Sequence, residues 1–319
     1  MLQFPLSILA QAQGMLTPKQ LMLAMLQDNA YILGGIVAVV VGLLAVLYGT
    51  RTGVIARATT KESVRQPIFS ILLVVALVLL VVNTYVPFFS FGEDLKMMVV
   101  CGLATLKVCG MFLAVWSSST SIADEIEGKT AMTMLSKPIT RRQFIVGKFL
   151  GIQTAVLLLC LPVILAFGGL ILYKVFYDAR EATRDDVNSI VATTELLRMF
   201  PAIVLSLMEI MIMSAVSVML STRVPMVVNL VACLAIFLVG HLQEVLVSAT
   251  LGRLELVGFV AKLIAIFLPA VGVFNVEAKL MADGAIPNQY VGLAAIYTAA
   301  YVFALILGSF LLFEDRDLA

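Results

Sequence analysis

Charged residues are scarce in this chain. Asp, Glu, Lys and Arg make up 13% of its 319 residues, hydrophobic residues make up 61%, and the mean hydropathy is +1.07. A soluble domain carries about 25% charged residues, because its surface must stay hydrated. The composition therefore excludes a water-soluble globule of this size and predicts a membrane protein. The net charge of +1 says nothing about nucleic acid or acidic partners, and no nucleic-acid partner is predicted.

Residues that commonly carry catalysis or bind metals are also few. His241 is the single histidine, and the four cysteines (Cys101, Cys109, Cys160 and Cys233) all fall in apolar stretches without a Cys-x-x-Cys spacing. We therefore expect buried free thiols rather than disulfides or a metal site. Because His, Asp and Glu do not cluster at membrane depth, a membrane-embedded enzyme is disfavoured. No catalytic residue, metal or cofactor is predicted in this chain.

Long apolar runs dominate what is present. A helix needs about 20 mostly apolar residues to cross the hydrocarbon core of a bilayer. Seven runs are close to that length or longer: 31–48, 67–89, 97–119, 144–173, 199–220, 226–247 and 290–313. Backbone polar groups in lipid must be bonded internally, and the alternation of a membrane barrel is absent from the sequence. The runs therefore predict an all-α polytopic membrane protein.

Two further segments are predicted to lie at the membrane surface. Residues 258–273 are apolar but interrupted by Lys262, Pro269 and Gly272, which is typical of a re-entrant or interfacial helix. Residues 1–30 lack the positively charged start of a signal peptide, and we expect an amphipathic segment on the outer surface there.

The distribution of basic residues predicts the orientation in the membrane. Residues 50–66 carry four basic side chains against one acid, and residues 122–148 carry five more. With the spans counted as above, these segments fall on the same side as Arg223 and the carboxyl-terminal tail. Basic loops concentrate on the cytoplasmic side of membrane proteins. The amino terminus is therefore expected outside and the carboxyl terminus in the cytoplasm.

Residues 123–130 come close to a phosphate-binding loop. The sequence Ala-Asp-Glu-Ile-Glu-Gly-Lys-Thr lacks the first glycine of that motif, and Asp124, Glu125 and Glu127 would repel a triphosphate. Nucleotide binding is therefore not predicted here. From the residues alone, two interpretations stay open: short amphipathic helices on the cytoplasmic surface, or an ordinary solvated loop. Thr140 with Gln143 predicts a capping box at the start of the next helix.

The same stretch resembles the signature of ABC-2 type permeases. The resemblance rests on three parts: 124–130 (Asp-Glu-Ile-Glu-Gly-Lys-Thr), 135–141 (Leu-Ser-Lys-Pro-Ile-Thr-Arg) and the Gly147-Lys148 pair. Further similarities are the basic segment 54–67, Leu268-Pro269 with Phe274-Asn275, and the ending 313–318 (Phe-Glu-Asp-Arg-Asp-Leu). The Gly-Lys-Thr of this chain is one residue wider than the Gly-Thr pair of the family.

The resemblance implies a six-helix permease domain over residues 67–318. Residues 49–66 would form the basic elbow before it, and the span 31–48 would be an addition to the usual six. Residues 122–142 match the family's coupling helix, which lies on the ATPase. The residues carried over to that role are Asp124, Glu125, Ile126, Glu127, Gly128, Thr130, Met134, Leu135, Pro138 and Arg141.

The resemblance also implies partners and a location. An ATP-binding cassette subunit would bind ATP and Mg²⁺ and hydrolyse the nucleotide, and a second permease, identical or paralogous, would complete the transporter. The expected activity is export across a bacterial cytoplasmic membrane. The alternatives from other classes are a stand-alone ion-coupled carrier and a non-transporting membrane scaffold.

Two charged residues lie near the middle of predicted spans. Lys107 and Glu209 lie near the middle of their apolar runs, where an ionised group costs about 2.5–3.5 kcal/mol on insertion scales. Because their depths are similar, they are predicted to pair. Whether such a pair is structural or lines a substrate path is left open. His241 is expected to be structural or interfacial, and the Gly147–Gly151 spacing predicts close helix packing.

Overall fold

A computed structural model describes residues 18–85, 94–123, 140–181, 189–250, 268–282 and 286–314. Throughout these ranges the regular structure is helical. The α-helices are α1 (Pro18–Gly49), α2 (Arg51–Arg65), α3 (Pro67–Tyr85), α4 (Asp94–Ser118), α5 (Arg141–Glu181), α6 (Ser189–Ser221), α7 (Met226–Thr250), α8 (Glu277–Met281) and α9 (Asn288–Glu314). A π-helical stretch, Ser119–Ala123, continues α4, and a 3₁₀ turn, Val271–Phe274, precedes α8.

Six helices of the described residues are long and apolar enough to cross a membrane: α1, α3, α4, α5, α6 and α9. A seventh apolar stretch, Met226–Leu242 in α7, is shorter within the described side chains. This confirms the predicted all-α architecture and its multi-pass character. Each of the seven apolar runs of the sequence lies, within the described residues, in one of these helices.

Three helix boundaries differ from the prediction. Helix α1 begins at Pro18 rather than at residue 31, and residues 51–65 form helix α2. Residues 174–181 and 189–198, which lie between the fourth and fifth apolar runs of the sequence, are helical as well. In that last region α5 continues to Glu181, where Lys174 and Asp178 form an i,i+4 ion pair with Nζ and Oδ1 3.1 Å apart. Such pairs stabilise the part of a helix that projects beyond the apolar core. The mixed charge of residues 174–181 is therefore compatible with a helix.

Helices α4 and α6 form the centre of the bundle. In the apolar part of each of these two helices, 67% of the residues are buried, against 11% in α1 and 17% in α9. The peripheral helices expose large apolar side chains, such as Val39, Phe303 and Leu311. A continuous apolar surface of this extent is unsuited to water, and it fits a hydrocarbon environment. The cysteines are free thiols, and three of them are buried.

Helix α2 packs against α5 through the two predicted glycines. A Cβ atom on Gly147 would lie 2.8 Å from Ile55, and one on Gly151 would lie 2.6 Å from the Ala56 carbonyl oxygen. Thr60 Oγ1 donates to the Gly151 carbonyl at 3.0 Å. The predicted close packing at this spacing is confirmed, and it holds the amphipathic helix α2 to the start of α5.

Candidate functional site

Helices α4, α6 and α7 carry polar side chains at two levels of the bundle. Near their midpoints they present Lys107, Glu209 and His241 to one another. Near the end where residues 119–123 and 222–225 lie, they present buried serine hydroxyls and Asn229. We call that end the basic end, because α2 and Arg141 are located there too. Each of the two levels links the same three helices to one another.

The charged cluster consists of Lys107, Glu209, His241 and Glu277. Lys107 Nζ lies 2.7 Å from Glu277 Oε1 and 3.9 Å from Glu209 Oε2. His241 Nε2 lies 3.3 Å from Glu209 Oε1, and His241 Nδ1 lies 3.1 Å from the Phe237 carbonyl oxygen. The Lys107 and Glu209 side chains are 7% and 2% exposed, while those of His241 and Glu277 are 23% and 22% exposed. The cluster is thus open only on the side of His241 and Glu277.

The structure brings the two predicted intramembrane charges together and adds two partners. Lys107 and Glu209 do approach each other, but the shortest contact of Lys107 is to Glu277. Sequence reasoning missed Glu277. The signal available was an acid two residues after the Phe274-Asn275 element, in a segment where the one other charged residue is Lys279. His241, expected to be structural, contacts the Glu209 carboxylate directly.

Glu277 lies in a short segment that does not span the membrane, residues 268–282. We call it the cap segment. Its Val271 packs on Gly240, next to His241, where a Cβ would lie 2.7 Å from the valine side chain. Helix α9 holds the cap segment by two hydroxyls: Ala270 N donates to Tyr297 Oη at 3.0 Å, and Tyr290 Oη donates to the Val273 carbonyl. Residues 258–267 of the predicted re-entrant helix lie outside the described residues.

The hydroxyl cluster, at the basic end, contains no charge. Its members are Ser118 and Ser119 from α4 and its π-helical continuation, Ser217 and Ser221 from α6, and Asn229 from α7. The Asn229 amide donates to the Ser119, Ser217 and Ser221 hydroxyls at 2.8, 2.9 and 2.8 Å. All five side chains are buried. Buried polar groups of this kind stabilise a bundle when they satisfy one another.

The start of α5 at the basic end is fixed by a capping box, by Arg141 and by an aromatic pair. The predicted capping box is confirmed: Thr140 N donates to Gln143 Oε1 at 3.1 Å, and Gln143 N donates to Thr140 Oγ1 at 3.3 Å. An Arg141 guanidinium nitrogen donates to the Phe313 carbonyl at 3.2 Å, and the guanidinium lies 5.6 Å from the centre of that ring. The Phe313 ring stacks on Phe144 with centroids 6.0 Å apart.

A cavity of about 370 Å³ opens beside this junction. It is lined by Thr140, Arg141, Arg142, Ile145, Phe310 and Phe313. Of the residues predicted to couple to an ATPase, Arg141 is the one within the described ranges. Residues 124–139, which hold all the others, lie outside them. Ile122, which begins the predicted coupling segment, is buried against the bundle.

No family model matches this chain, and no curated protein matches it. Within the described residues, no group of three or more His, Cys, Asp and Glu side chains is arranged to hold a metal ion. A functional assignment therefore depends on the residues of the resemblance and on the geometry of the two clusters.

Proposed function

We propose that this chain is the membrane-spanning permease subunit of an ABC-2 type ATP-driven transporter, and that it acts as an exporter. The proposed partners are an ATP-binding cassette subunit, which binds ATP and Mg²⁺, and a second permease. The proposed location is a bacterial cytoplasmic membrane, with the basic end in the cytoplasm, the amino terminus outside and the carboxyl terminus inside. The signature over residues 124–148 and the bundle of long apolar helices support this proposal.

The observation that carries the proposal is how the two flanks of residues 124–139 are anchored. On one flank, Ser118 and Ser119 of α4 and its continuation are bonded to α6 and α7 through the hydroxyl cluster. On the other flank, Arg141 of α5 is bonded to α9 through Phe313. A coupling element needs rigid connections on both sides, because a movement passes on only through packed contacts.

A mechanism follows from these anchors. Closure of the partner ATPase would displace residues 124–139, and both flanks would move with them. Through the hydroxyl cluster the movement reaches α6 and α7, and through Gly147 and Gly151 it reaches α2. Apolar Ile126, Met134 and Leu135 are proposed to pack on the partner, while Asp124, Glu125 and Glu127 pair with its basic side chains. The bundle would then alternate between inward-open and outward-open states.

A second candidate function, an ion-coupled carrier, is favoured by the charged cluster alone. Ionisable residues at membrane depth commonly mark ion or proton pathways. Carriers of that class are often built around broken helices at matched positions in two halves. The described parts of α4, α5 and α6 are continuous helices, which favours the permease over the carrier.

The proposal is tested by a pull-down of the full chain from native membranes in mild detergent, followed by mass spectrometry. An ATP-binding cassette subunit is expected to co-purify with the wild-type chain. The double variant Glu125→Lys/Glu127→Lys is expected to lose it, because both proposed acidic contacts are reversed.

The matched control is Asp185→Lys/Asp186→Lys, which makes the same change of charge in the loop predicted on the opposite side. This control should retain the ATPase, and both variants should elute like the wild type in gel filtration. If the wild-type chain carries no ATPase under conditions that preserve other membrane complexes, the permease proposal is wrong and the ion-coupled carrier becomes the better assignment.

A further inference from the structure

The two ring nitrogens of His241 have contacts that fix where a proton must lie. Nδ1 is 3.1 Å from the Phe237 carbonyl oxygen, and a carbonyl can only accept, so Nδ1 carries hydrogen. Nε2 is 3.3 Å from Glu209 Oε1. In a neutral ring with hydrogen on Nδ1, the Nε2 lone pair would face a carboxylate oxygen, which is repulsive. A second hydrogen, on Nε2 or on the carboxyl group, removes this repulsion and makes the contact attractive.

The charge balance of the cluster independently indicates one additional proton on the His241–Glu209 pair. Lys107 contributes one positive charge, whereas Glu209 and Glu277 contribute two negative charges. An uncompensated charge is strongly unfavourable where the Lys107 and Glu209 side chains are 7% and 2% exposed. One proton on the His241–Glu209 pair makes the cluster neutral.

Other titratable groups near the cluster leave that count unchanged. Cys101 of α4 is a free thiol, which carries no charge in its protonated form. Two lysines are turned to other groups: Lys96 donates to the Met281 carbonyl at 3.2 Å, and Lys279 Nζ lies 4.5 Å from the centre of the Tyr290 ring. Tyr290 and Tyr297 of α9 use their hydroxyls on the backbone of the cap segment.

We propose that His241 and Glu209 form an intramembrane proton-binding site, and that its proton sets the position of the cap segment through Lys107. With the proton bound, the His241–Glu209 pair is neutral and does not attract a further cation. Lys107 then pairs with Glu277 at 2.7 Å rather than with Glu209 at 3.9 Å. The cap segment is then held on the bundle.

Loss of the proton reverses that preference. The proton leaves to a water molecule or hydroxide ion by way of His241, whose side chain is 23% exposed, and the contact between Nε2 and Oε1 loses its shared hydrogen. Glu209 then has a full negative charge in a buried place, and it draws Lys107 away from Glu277. The cap segment loses its ionic attachment and is kept by the Val271 and tyrosine contacts alone. This inference rests on these side chains and does not require the proposed ATPase.

Because His241 is the single histidine of the chain, it can be observed without mutation. The test is ¹⁵N NMR of histidine-labelled full-length protein in lipid bilayers, purified by a tag that contains no histidine. We expect Nδ1 to carry hydrogen at every pH at which the protein is folded. We expect Nε2 to be in a hydrogen bond with a shared proton at acid and neutral pH, and to lose that proton in alkaline buffer.

The variant Glu209→Gln separates this proposal from a merely structural histidine. The glutamine amide can donate to Nε2, so the ring should remain in its neutral form with hydrogen on Nδ1, and the alkaline transition should disappear. A wild-type ring without hydrogen on Nδ1 would overturn the assignment. So would identical wild-type and variant spectra across the pH range.

Hydrogen–deuterium exchange of residues 268–282 tests the link to the cap segment. After correction for intrinsic exchange, the wild type should exchange several-fold faster in alkaline than in acid buffer. Glu209→Gln should stay protected in both buffers, and Glu277→Gln should exchange fast in both. Glu195→Gln on α6, which removes a charge far from the cluster, is the matched control and should behave as the wild type does. A wild type without this difference, or a Glu209→Gln variant that keeps it, contradicts the proposal.

Discussion

The charged cluster and the hydroxyl cluster join the same three helices at two depths. Eleven residues separate Lys107 from Ser118, and twelve separate Glu209 from Ser221 and Asn229 from His241. At a rise of about 1.5 Å per residue, the two levels are about 16–18 Å apart. Both levels are buried and both bond α4 to α6 and α7, yet their chemistry differs.

The polar groups of the hydroxyl cluster are hydrogen-bonded to one another, whereas the charged cluster depends on groups from outside the three helices. Asn229 and the serines satisfy one another without a charge, so their bonds do not depend on pH. The charged cluster needs Glu277 from a segment outside the three helices, and it needs a proton to be neutral. The neutral level therefore suits a permanent connection, and the charged level suits a connection that can be released.

The largest expected effect is at Lys107. Lys107→Met keeps the approximate side-chain length and removes the positive charge that lies 2.7 Å from Glu277 and 3.9 Å from Glu209. Breaking a buried ion pair from one side typically costs about 3–5 kcal/mol, and we expect a loss of that size in the free energy of unfolding. Reversible unfolding in bicelles measures it.

The choice of second mutation then identifies the true partner of Lys107. Lys107→Met/Glu277→Gln should recover most of the lost stability, because the His241–Glu209 pair is neutral by itself. If Lys107→Met/Glu209→Gln recovers more, the pair predicted from the sequence is the dominant one, and the proposed role of Glu277 is wrong.

A smaller effect is expected at Asn229. Asn229→Leu keeps the approximate size of the side chain and leaves three buried hydroxyls without their common donor. Buried polar groups left without a partner cost about 1–3 kcal/mol. The same unfolding measurement should give this loss at every pH, in contrast to variants of the charged cluster.

Thr298→Val is the control for the loss of a buried polar group as such. Thr298 is buried on α9, and its hydroxyl is bonded to Ala294 of its own helix. Its removal should change stability little, because such local bonds compete with the helix rather than connect helices. Equal losses in Thr298→Val and Asn229→Leu would show that the inter-helix network adds nothing.

The helices could be predicted because length and apolarity determine them in a membrane. Within the described residues, all seven apolar runs lie in helices, and the similar depth of Lys107 and Glu209 followed from their positions within two spans. The surface helices were different. Residues 51–65 and 174–181 are helical although they lie outside the apolar runs, because mixed charge indicates exposure to solvent and does not specify secondary structure.

The contents of the two clusters could be predicted only in part. The serine string 117–119 was visible, but its bonds to α6 and α7 depend on helix rotation, which the sequence does not reveal. Glu277 was missed because the cap segment has no periodic pattern, and its fold comes from Gly240, Tyr290 and Tyr297 on other helices. Non-local contacts of this kind have no local signature.

A single hydroxyl of the neutral cluster should matter less than its asparagine. Ser118→Ala removes bonds to Ser217 and Ser221, and one net hydrogen bond contributes about 0.5–1.5 kcal/mol. The control is Ser206→Ala, because Ser206 is also buried on a central helix but is bonded to Ala202 of its own helix. If the Ser206 variant loses as much stability, the cost belongs to the cavity left behind and not to the cluster.

The smallest effect is expected at an ion pair outside the bundle core. Lys174 and Asp178 are 3.1 Å apart, close to the 2.7 Å of Lys107 and Glu277, but their side chains are 17% and 43% exposed. Asp178→Asn should change the free energy of unfolding by about 0.3–0.5 kcal/mol and should lose even that in high salt. Glu277→Gln removes the same kind of contact from a lysine that is 7% exposed. Comparing the two variants in one salt series therefore tests burial as the cause. A salt-insensitive loss at Glu277 beside a salt-sensitive one at Asp178 supports a Lys107–Glu277 contact that salt does not screen. Parallel salt dependence would mean that ions screen Lys107 as they screen Lys174.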